Sequence, residues 1–320
     1  KHGYSRIPVY EETIDHIVGV IHERDFFLAY LKGEKSVKSI LQEVVFTTDE
    51  EVGMPGATAL DVSMLRGRRM LNLDSEEEGI FTVSCAGGAT ATISLDAPCR
   101  AVYGPCIRLV VDGLQGGHSG AEIHKNRANA NKVMGEFMNR VQNLMPLCLT
   151  SYTGGSKDNA IPRSCQVTMV AMGMYIERIN DVAAQLQQEI RTQYAEPEAL
   201  VEAYNMDALG GNAVSVEDSK KLIELICTVP NSVQAMSKQI PGLVQTSLNL
   251  GVLTTDRGTL RASFAVRSSV GAEKTKLLTK LENIAKDFGA EYSTCGHYPA
   301  WEYRKDSRLR DVMCRVWQEQ

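Results

Sequence analysis

The sequence predicts an α/β protein with a large α+β domain at residues 88–292. Three features support this class. Short apolar strands precede a helix in residues 1–42, and two further apolar strands, Val44–Thr47 and Leu71–Asp74, each end beside acidic residues. Residues 88–292 then combine strands with amphipathic helices, which is typical of an α+β domain. The composition agrees, because 43% of the 320 residues are hydrophobic and 23% are charged.

The first 42 residues contain the pattern of a short α/β unit. Arg6–Tyr10 and Ile17–Ile21 are apolar enough to form strands, and Asp25–Leu31 carries aromatic and aliphatic residues at helical spacing. Ser36–Leu41 is predicted to form another helical turn.

The α+β domain is predicted from strand candidates, two helices and a hairpin. Asn129–Met145 is an amphipathic helix, and a later helix is expected to end at Gly289. The chain is expected to leave the domain after Tyr292 and to end in a helical pattern, Leu309–Trp317. The strand candidates are Ala91–Leu95, Ile107–Val111, Leu147–Tyr152 and Gln166–Val170, and the hairpin strands are Gln245–Thr255 and Leu260–Val266 around Asp256–Gly258.

Charge and cysteine usage exclude several classes of protein. The net charge is −5 and no stretch concentrates basic residues, so no nucleic-acid partner is expected. No apolar run approaches the roughly 18–20 residues of a membrane helix, so no membrane partner is expected for this segment. The eight cysteines include no Cys-x-x-Cys pair, and we expect them to be reduced, buried and inert, as in a cytoplasmic protein.

Acidic residues at two strand ends are the first candidates for chemistry. Glu50 and Glu51 follow one predicted strand, and Asp74 ends the next, at positions where ligands bind in open α/β sheets. Adjacent side chains point in different directions, so one carboxylate can bind a cation while its neighbour transfers a proton. The alternative is a solvated acidic surface, which is the usual role of a run such as Ser75–Glu78.

A set of motifs spread over residues 44–320 carries a family resemblance, with Asp49–Met54 as its anchor. The motifs are Thr47–Met54, Leu71–Gly79, Cys85–Gly88, Gly113–Gly120, Ile123–His124, Arg127–Lys132, Asn159–Arg163, Thr246–Val252, Val266–Ser268 and Tyr298–Trp301. In this order they resemble the aminoacyl-histidine (Xaa-His) dipeptidases, a family of two-metal peptidases. The resemblance implies metal-dependent hydrolysis of dipeptides with two zinc ions, for which manganese or cobalt can substitute.

The same resemblance implies the domain organisation. Residues 44–87 and 293–320 would be two parts of an incomplete catalytic sheet. Residues 88–292 would be an inserted α+β lid and dimerisation domain, through which the chain forms a homodimer.

The resemblance also assigns roles to five residues. Glu50 would be the general base, and Glu51 and Asp74 would each bind one metal ion. His118 would stabilise the oxyanion that develops on the substrate carbonyl, often from the partner subunit of a dimer. Arg267 would bind the C-terminal carboxylate of the substrate, which suits a planar bidentate donor.

Two of these residues also have plain structural interpretations. A single histidine such as His118 is more often structural than catalytic, although flanking glycines allow close approach to a ligand. An arginine at a strand end, such as Arg267, is usually an exposed ion-pair partner.

Residues 1–43 carry a second resemblance. Gly3–Tyr10, Ile14–Ile21 and Arg24–Asp25 are similar to part of a cystathionine-β-synthase (CBS) domain of the hemolysin and metal-efflux type. Such domains work as tandem pairs that often bind adenine nucleotides. Only part of one module is present, so an intact nucleotide site is not expected.

The family's remaining metal ligands have no counterparts in this sequence. A His-x-Asp motif and a bridging aspartate are expected before Glu50, and no histidine follows His297 to serve as the late ligand. We therefore expect weak metal binding and impaired hydrolysis by this chain. The alternatives are a non-catalytic regulatory protein that binds a ligand through its CBS-like segment, or a truncated chimeric product.

Overall fold

The computed structural model describes residues 6–14, 17–33, 36, 38, 40–42, 55–65, 67, 69–72, 79–171 and 175–319. The chain divides into two compact units, residues 1–72 and 73–320. The predicted strand Val44–Thr47, the anchor motif Asp49–Met54 and Asp74 lie outside the described residues.

The first unit contains an antiparallel strand pair followed by a helix. Strands β1 (Arg6–Tyr10) and β2 (Ile17–His22) pair with each other, and helix α1 (Glu23–Leu31) follows directly. The imidazole of His22 caps the helix, because its Nδ1 accepts the Arg24 N–H at 3.2 Å. These three elements confirm the sequence prediction.

Later in this unit the structure has helix α2 (Pro55–Ala59) and a 3₁₀ turn at Val62–Met64. Leu71 and Asn72 are not in a strand, so the first half of the predicted strand Leu71–Asp74 is wrong. Leu71 is 57% exposed, which is incompatible with the buried strand that its apolar character suggested.

The second unit is built around an antiparallel sheet of nine strands among the described residues. Its strands are β3 (Gly87–Asp96), β4 (Cys99–Asp112), β6 (Leu147–Gly154), β8 (Cys165–Ala171), β9 (Leu200–Val214), β10 (Ser232–Met236), β11 (Val244–Asp256), β12 (Thr259–Ser268) and β13 (Glu291–Tyr298). They run in the order β13-β3-β12-β11-β6-β8-β4-β9, and β10 pairs with β11. Two short strands, β5 (Gly117–His118) and β7 (Ala160–Ile161), form a separate ribbon.

In the part of this unit that the structure describes, four helices pack on the sheet and a fifth follows β13. They are α3 (Ala130–Leu144), α4 (Ile176–Gln193), α5 (Val216–Thr228), α6 (Gly271–Asp287) and α7 (Arg308–Gln318). One continuous core contains Phe137 of α3, Tyr152 of β6 and Phe264 of β12, each fully buried. The apolar stripe of α3 packs into this core, as its periodicity predicts.

Most predicted elements of the second unit are confirmed. The strand candidates correspond to β3, β4, β6 and β8, and the hairpin to β11 and β12. Helix α6 ends at Asp287 with Phe288 as its C-cap, and Gly289 follows with a positive φ of 63°, as predicted for the end of this helix. No prediction was made for β9, α4 or α5.

Two expectations for this unit differ from the structure. Strand β13 pairs with β3, so the chain stays in the large sheet through Tyr298 instead of leaving it after Tyr292. The cysteines are all unpaired, as expected, but Cys85, Cys227, Cys295 and Cys314 are exposed. The expectation that they are buried is wrong for these four, because they lie on strand edges, helix surfaces and loops.

Candidate functional site

His118 lies on the β5–β7 ribbon, above the large sheet's β11. Within the ribbon, Gly117 pairs with Ile161 and His118 pairs with Ala160. The next amide, Ser119 N–H, donates to the Asn159 carbonyl at 2.9 Å. The chain around His118 is therefore fixed by main-chain bonds to the segment that contains Asn159 and Ala160.

The turn after His118 folds back onto its imidazole ring. Nδ1 accepts the Gly120 N–H at 3.2 Å and the Ala121 N–H at 3.0 Å. Since a main-chain amide can only donate, Nδ1 is the unprotonated nitrogen, and Nε2 carries the proton of the neutral ring. The His118 side chain is exposed, and Nε2 has no hydrogen-bond partner among the described residues.

Glu122 connects this turn to two cations. Its Oε2 accepts the His118 N–H at 3.0 Å, and its Oε1 accepts from Lys125 at 2.8 Å and from Arg127 at 3.0 Å. Arg127 also donates to the Gly116 carbonyl. The hydrogen bond from Lys125, followed by that from the His118 amide, lowers the pKa of Glu122 from 4.5 to about 2.

Arg267 lies near the end of β12, between Gly88 of β3 and Ser247 of β11. Its Nη1 donates to the Tyr298 hydroxyl at 3.1 Å, while its Nε is buried without a partner among the described residues. Within the same residues it forms no salt bridge. The plain interpretation as a surface ion-pair partner therefore has no support in the described part of the chain.

His118 and Arg267 approach each other at Gly120. A Cβ atom added to Gly120 would lie 3.0 Å from His118 Cε1 and 3.3 Å from both Nε and Cζ of Arg267. The two side chains, distant in sequence, therefore border the same small gap. Beside Gly120, the hydroxyl of Ser119 is buried and also has no partner among the described residues. Arg267 Nε, which borders the gap, and the hydroxyl of the neighbouring residue Ser119 are therefore buried donors without a described partner, which suits a carbonyl or carboxylate oxygen.

Buried asparagines support the ribbon from below. Asn249 of β11 donates to the carbonyls of Asp158 at 2.7 Å and Ala160 at 2.8 Å. Its own oxygen accepts from Asn129 at 3.2 Å, and the Thr90 hydroxyl donates to the Asp158 carboxylate at 2.7 Å. The motifs Arg127–Lys132 and Thr246–Val252 contain these asparagines, but no local pattern indicated a role for them.

The predicted metal-site residues are not among those that the structure describes. Glu50, Glu51 and Asp74 lie outside the described residues. Within the described residues, no three or more His, Cys, Asp or Glu side chains are grouped so that they could hold a metal ion. His124, at the centre of the 3₁₀ turn Ile123–Lys125, is exposed and touches neither His118 nor Arg267 through any hydrogen bond described.

Residues 111–198 match the peptidase dimerisation domain family, M20_dimer. The chain is 31% identical over 295 residues to a cytosol non-specific dipeptidase of Escherichia coli, covering 91% of this chain and 60% of that protein. It also superposes on the crystal structure of aminoacylhistidine dipeptidase from Vibrio alginolyticus. That match has a TM-score of 0.81 at 28% identity, and covers 98% of this chain and 65% of the other.

These similarities bear directly on the fold. The mixed α/β structure with its large antiparallel sheet matches the fold of that aminoacylhistidine dipeptidase, and residues 111–198 match a peptidase dimerisation domain, which confirms the predicted fold class. The chain spans less than two thirds of the length of either dipeptidase. The CBS resemblance of residues 1–43 receives no support from these similarities and stays a prediction. No described helix is long and apolar enough to cross a membrane.

Proposed function

We propose that this chain is part of a metal-dependent dipeptidase and that its second unit binds the dipeptide. The observation that carries the proposal is the approach of His118 and Arg267 to one gap at Gly120. The proposal is supported by the similarity of the chain to two proteins named as dipeptidases.

Arg267 is proposed to bind the C-terminal carboxylate of the dipeptide. Its guanidinium is planar and can donate two parallel hydrogen bonds to a carboxylate. Tyr298 holds one end of this group, and the buried Nε still lacks an acceptor among the described residues. A site that binds a free carboxylate favours short peptides with an unmodified C-terminus.

His118 is proposed to donate from Nε2 to the carbonyl oxygen of the scissile bond. Such a donor stabilises the negative charge that develops on this oxygen during attack by water. Because His118 and Arg267 border the same gap, they would contact the same substrate molecule, one at its carbonyl and the other at its carboxylate.

The remaining roles are proposed for residues outside the described part of the chain. Glu50 would accept the proton of the attacking water, and Glu51 and Asp74 would each bind one of two divalent ions. When bound, such ions polarise a carbonyl and make water more acidic, and zinc, manganese and cobalt are the candidates.

A homodimer and a cytosolic location are part of the same proposal. The dimer is supported by the dimerisation-domain match and by exposed apolar residues on β4 and β9, among them Tyr103 and Leu209. The location is supported by the similarity to the cytosol non-specific dipeptidase of E. coli.

The binding role can be tested by calorimetry on the full chain. β-Alanyl-histidine should bind about 10-fold or more tightly than its C-terminal amide, because the amide cannot accept a charge-assisted pair of hydrogen bonds. Arg267→Ala should remove this preference, and Arg267→Lys should restore only part of it. Equal binding of the acid and the amide would contradict the proposal.

The catalytic role can be tested by measuring histidine release after addition of zinc, manganese or cobalt. We expect histidine release that Glu50→Gln abolishes. Release that is unaffected by Glu50→Gln would contradict the role of Glu50. Stabilisation of the chain by adenine nucleotides, without any dipeptide binding, would favour the regulatory alternative.

A further inference from the structure

The His118 turn is exposed but carries an unusually complete set of polar contacts. The His118 ring accepts hydrogen bonds from the amides of Gly120 and Ala121, and the His118 amide donates to the Glu122 carboxylate. The only charged side chain that bonds directly to the main chain of His118 is Glu122, among the described residues. The mechanism proposed above uses the ring and leaves Glu122 without a role.

We propose that Glu122 is a positioning residue that holds His118 with Nδ1 buried against the turn and Nε2–H directed outward. The proposal deepens the dipeptidase proposal by naming what orients its histidine. Glu122 itself contacts neither the gap at Gly120 nor any substrate-binding atom described, so it acts through His118.

The first argument is the fit of the carboxylate over the ribbon. A Cβ atom on Gly117 would lie 2.6 Å from Glu122 Oε2, and Gly117 has a φ of 139°, which favours glycine. The carboxylate and the guanidinium of Arg127, whose Nη1 lies still closer to this Cβ position, together occupy the space that a side chain at residue 117 would fill. Only glycine at this position allows the carboxylate to reach the amide of His118 at 3.0 Å.

The second argument is that both oxygens of the Glu122 carboxylate accept hydrogen bonds. Oε2 holds the His118 amide, while Oε1 is held by Lys125 and Arg127. Arg127 in turn holds the Gly116 carbonyl on the other side of the ribbon. The residues on either side of His118 are therefore linked through one side chain, which restricts rotation of the main chain beneath the ring.

The third argument is the chemistry of the ring. With Nδ1 engaged by the amides of Gly120 and Ala121, the neutral ring has its only N–H at Nε2. A ring that is flipped or tautomerised would present an acceptor outward, and an acceptor repels a carbonyl oxygen. Stabilising a developing oxyanion thus requires the tautomer and orientation that the turn selects.

Nuclear magnetic resonance of the full chain, labelled with ¹⁵N, tests this proposal without any need for catalysis. At pH 8 the ring of His118 should show an unprotonated Nδ1 and a protonated Nε2. Its signals can be identified among the six histidines because they disappear in His118→Phe. A protonated Nδ1 would overturn the proposal, whatever the chain hydrolyses.

The role of Glu122 is tested by amide hydrogen exchange in the same sample. Glu122→Asp keeps the charge but shortens the side chain, and should speed exchange at His118, Gly120 and Ala121 by about 10-fold or more. Glu122→Ala should also speed exchange at these amides. If Glu122→Ala does not fold, Glu122→Asp alone provides the test. Lys125→Met is the matched control, because it removes an ion pair and leaves the carboxylate-to-amide bond in place.

A double variant separates positioning from general structural support. In the His118→Phe background the amides of Gly120 and Ala121 have already lost their acceptor, so adding Glu122→Asp should change their exchange less than about 2-fold. An undiminished effect of Glu122→Asp in this background would show that Glu122 does not act through His118. Equal acceleration by Lys125→Met and Glu122→Asp would also overturn the proposal.

Discussion

Strands β11 and β9 belong to the same sheet but lie in opposite environments. In β11, the consecutive residues 246–250 are all at most 5% exposed. In β9, Tyr204 is 49% exposed and Leu209 is 63% exposed, and the residues between them are exposed or half-buried. Because successive side chains of a strand point to opposite faces, β11 is covered on both faces and the centre of β9 on neither.

The cover over β11 explains where the candidate site is built. Leu248 and Leu250 point into the core, while Asn249 points to the other face and binds the segment of Asp158 and Ala160. A Cβ atom on Gly251 would lie 2.4 Å from Asp158 Cα, so the backbones approach as closely as glycine allows. The closely packed strand β11 therefore fixes the position of the candidate site. Strand β9, at the end of the sheet order, instead leaves an exposed surface that is available for association.

The largest expected effect contrasts buried and exposed aromatic residues of these two regions. Phe264, which pairs with Leu250 of β11, is fully buried, and Phe264→Ala should lower the free energy of unfolding by about 3–5 kcal/mol. Tyr103 of β4, beside β9, is 77% exposed, and Tyr103→Ala should change the free energy of unfolding by less than about 0.5 kcal/mol at protein concentrations where the chain is monomeric. Urea denaturation measures both, and similar losses would contradict the comparison.

A smaller loss is expected from the asparagine beneath the ribbon. Asn249→Ala removes the donor to two carbonyls in a site that is 1% exposed, and should cost about 1–3 kcal/mol of unfolding free energy. Asn212→Ala, on the exposed part of β9, is the control and should have little effect. If thermal denaturation finds equal changes, the hydrogen bonds of Asn249 do not support the ribbon.

Next in size is a change confined to the gap between His118 and Arg267. Gly120→Ala would place a methyl group 3.0 Å from the His118 ring and 3.3 Å from the Arg267 guanidinium. We expect dipeptide affinity to fall about 10-fold, equivalent to about 1.4 kcal/mol, while the melting temperature changes little. Gly211→Ala on β9, where a Cβ atom has open space, is the matched control. Unchanged affinity in Gly120→Ala would remove this gap from the binding site.

The smallest effect is expected from the exposed turn, and it depends on pH. The pKa of Glu122 is lowered from 4.5 to about 2 in the folded chain, so its stabilising contribution is complete above pH 4.5. That contribution decreases as the pH falls toward 2, because the carboxylate then becomes protonated. The melting temperatures of Glu122→Gln and the unaltered chain should therefore differ at pH 7 and converge below pH 4.5. A difference that grows on acidification would contradict the assignment.

Much of the fold follows from local patterns, but some elements do not. Apolar alternation and helical spacing predicted β3, the β11–β12 hairpin and α3, because each has one face in the core. Strand β9 was missed because its centre is exposed and contains Asp207, Gly210 and Gly211, which are uncommon in strands.

The candidate site could be predicted only as separate residues. Family motifs indicated His118 and Arg267, yet their approach at Gly120 depends on the register of β12 beside β3 and on the ribbon, which no local pattern encodes. The roles of Asn249 and Glu122 likewise depend on the folded structure, since each side chain forms hydrogen bonds with main-chain atoms of another residue. The acids Glu50, Glu51 and Asp74 remain predictions from sequence.

The close approach of Gly251 to Asp158 has a mechanical consequence. The sheet is linked to His118 by a continuous series of contacts. These are the main-chain contact at Gly251, two hydrogen bonds donated by the Asn249 side chain, and the pairing of β7 with β5. His118 therefore cannot swing on a hinge of its own, as a residue on a free loop does. We therefore expect this histidine to approach or leave a bound molecule together with the sheet that supports it.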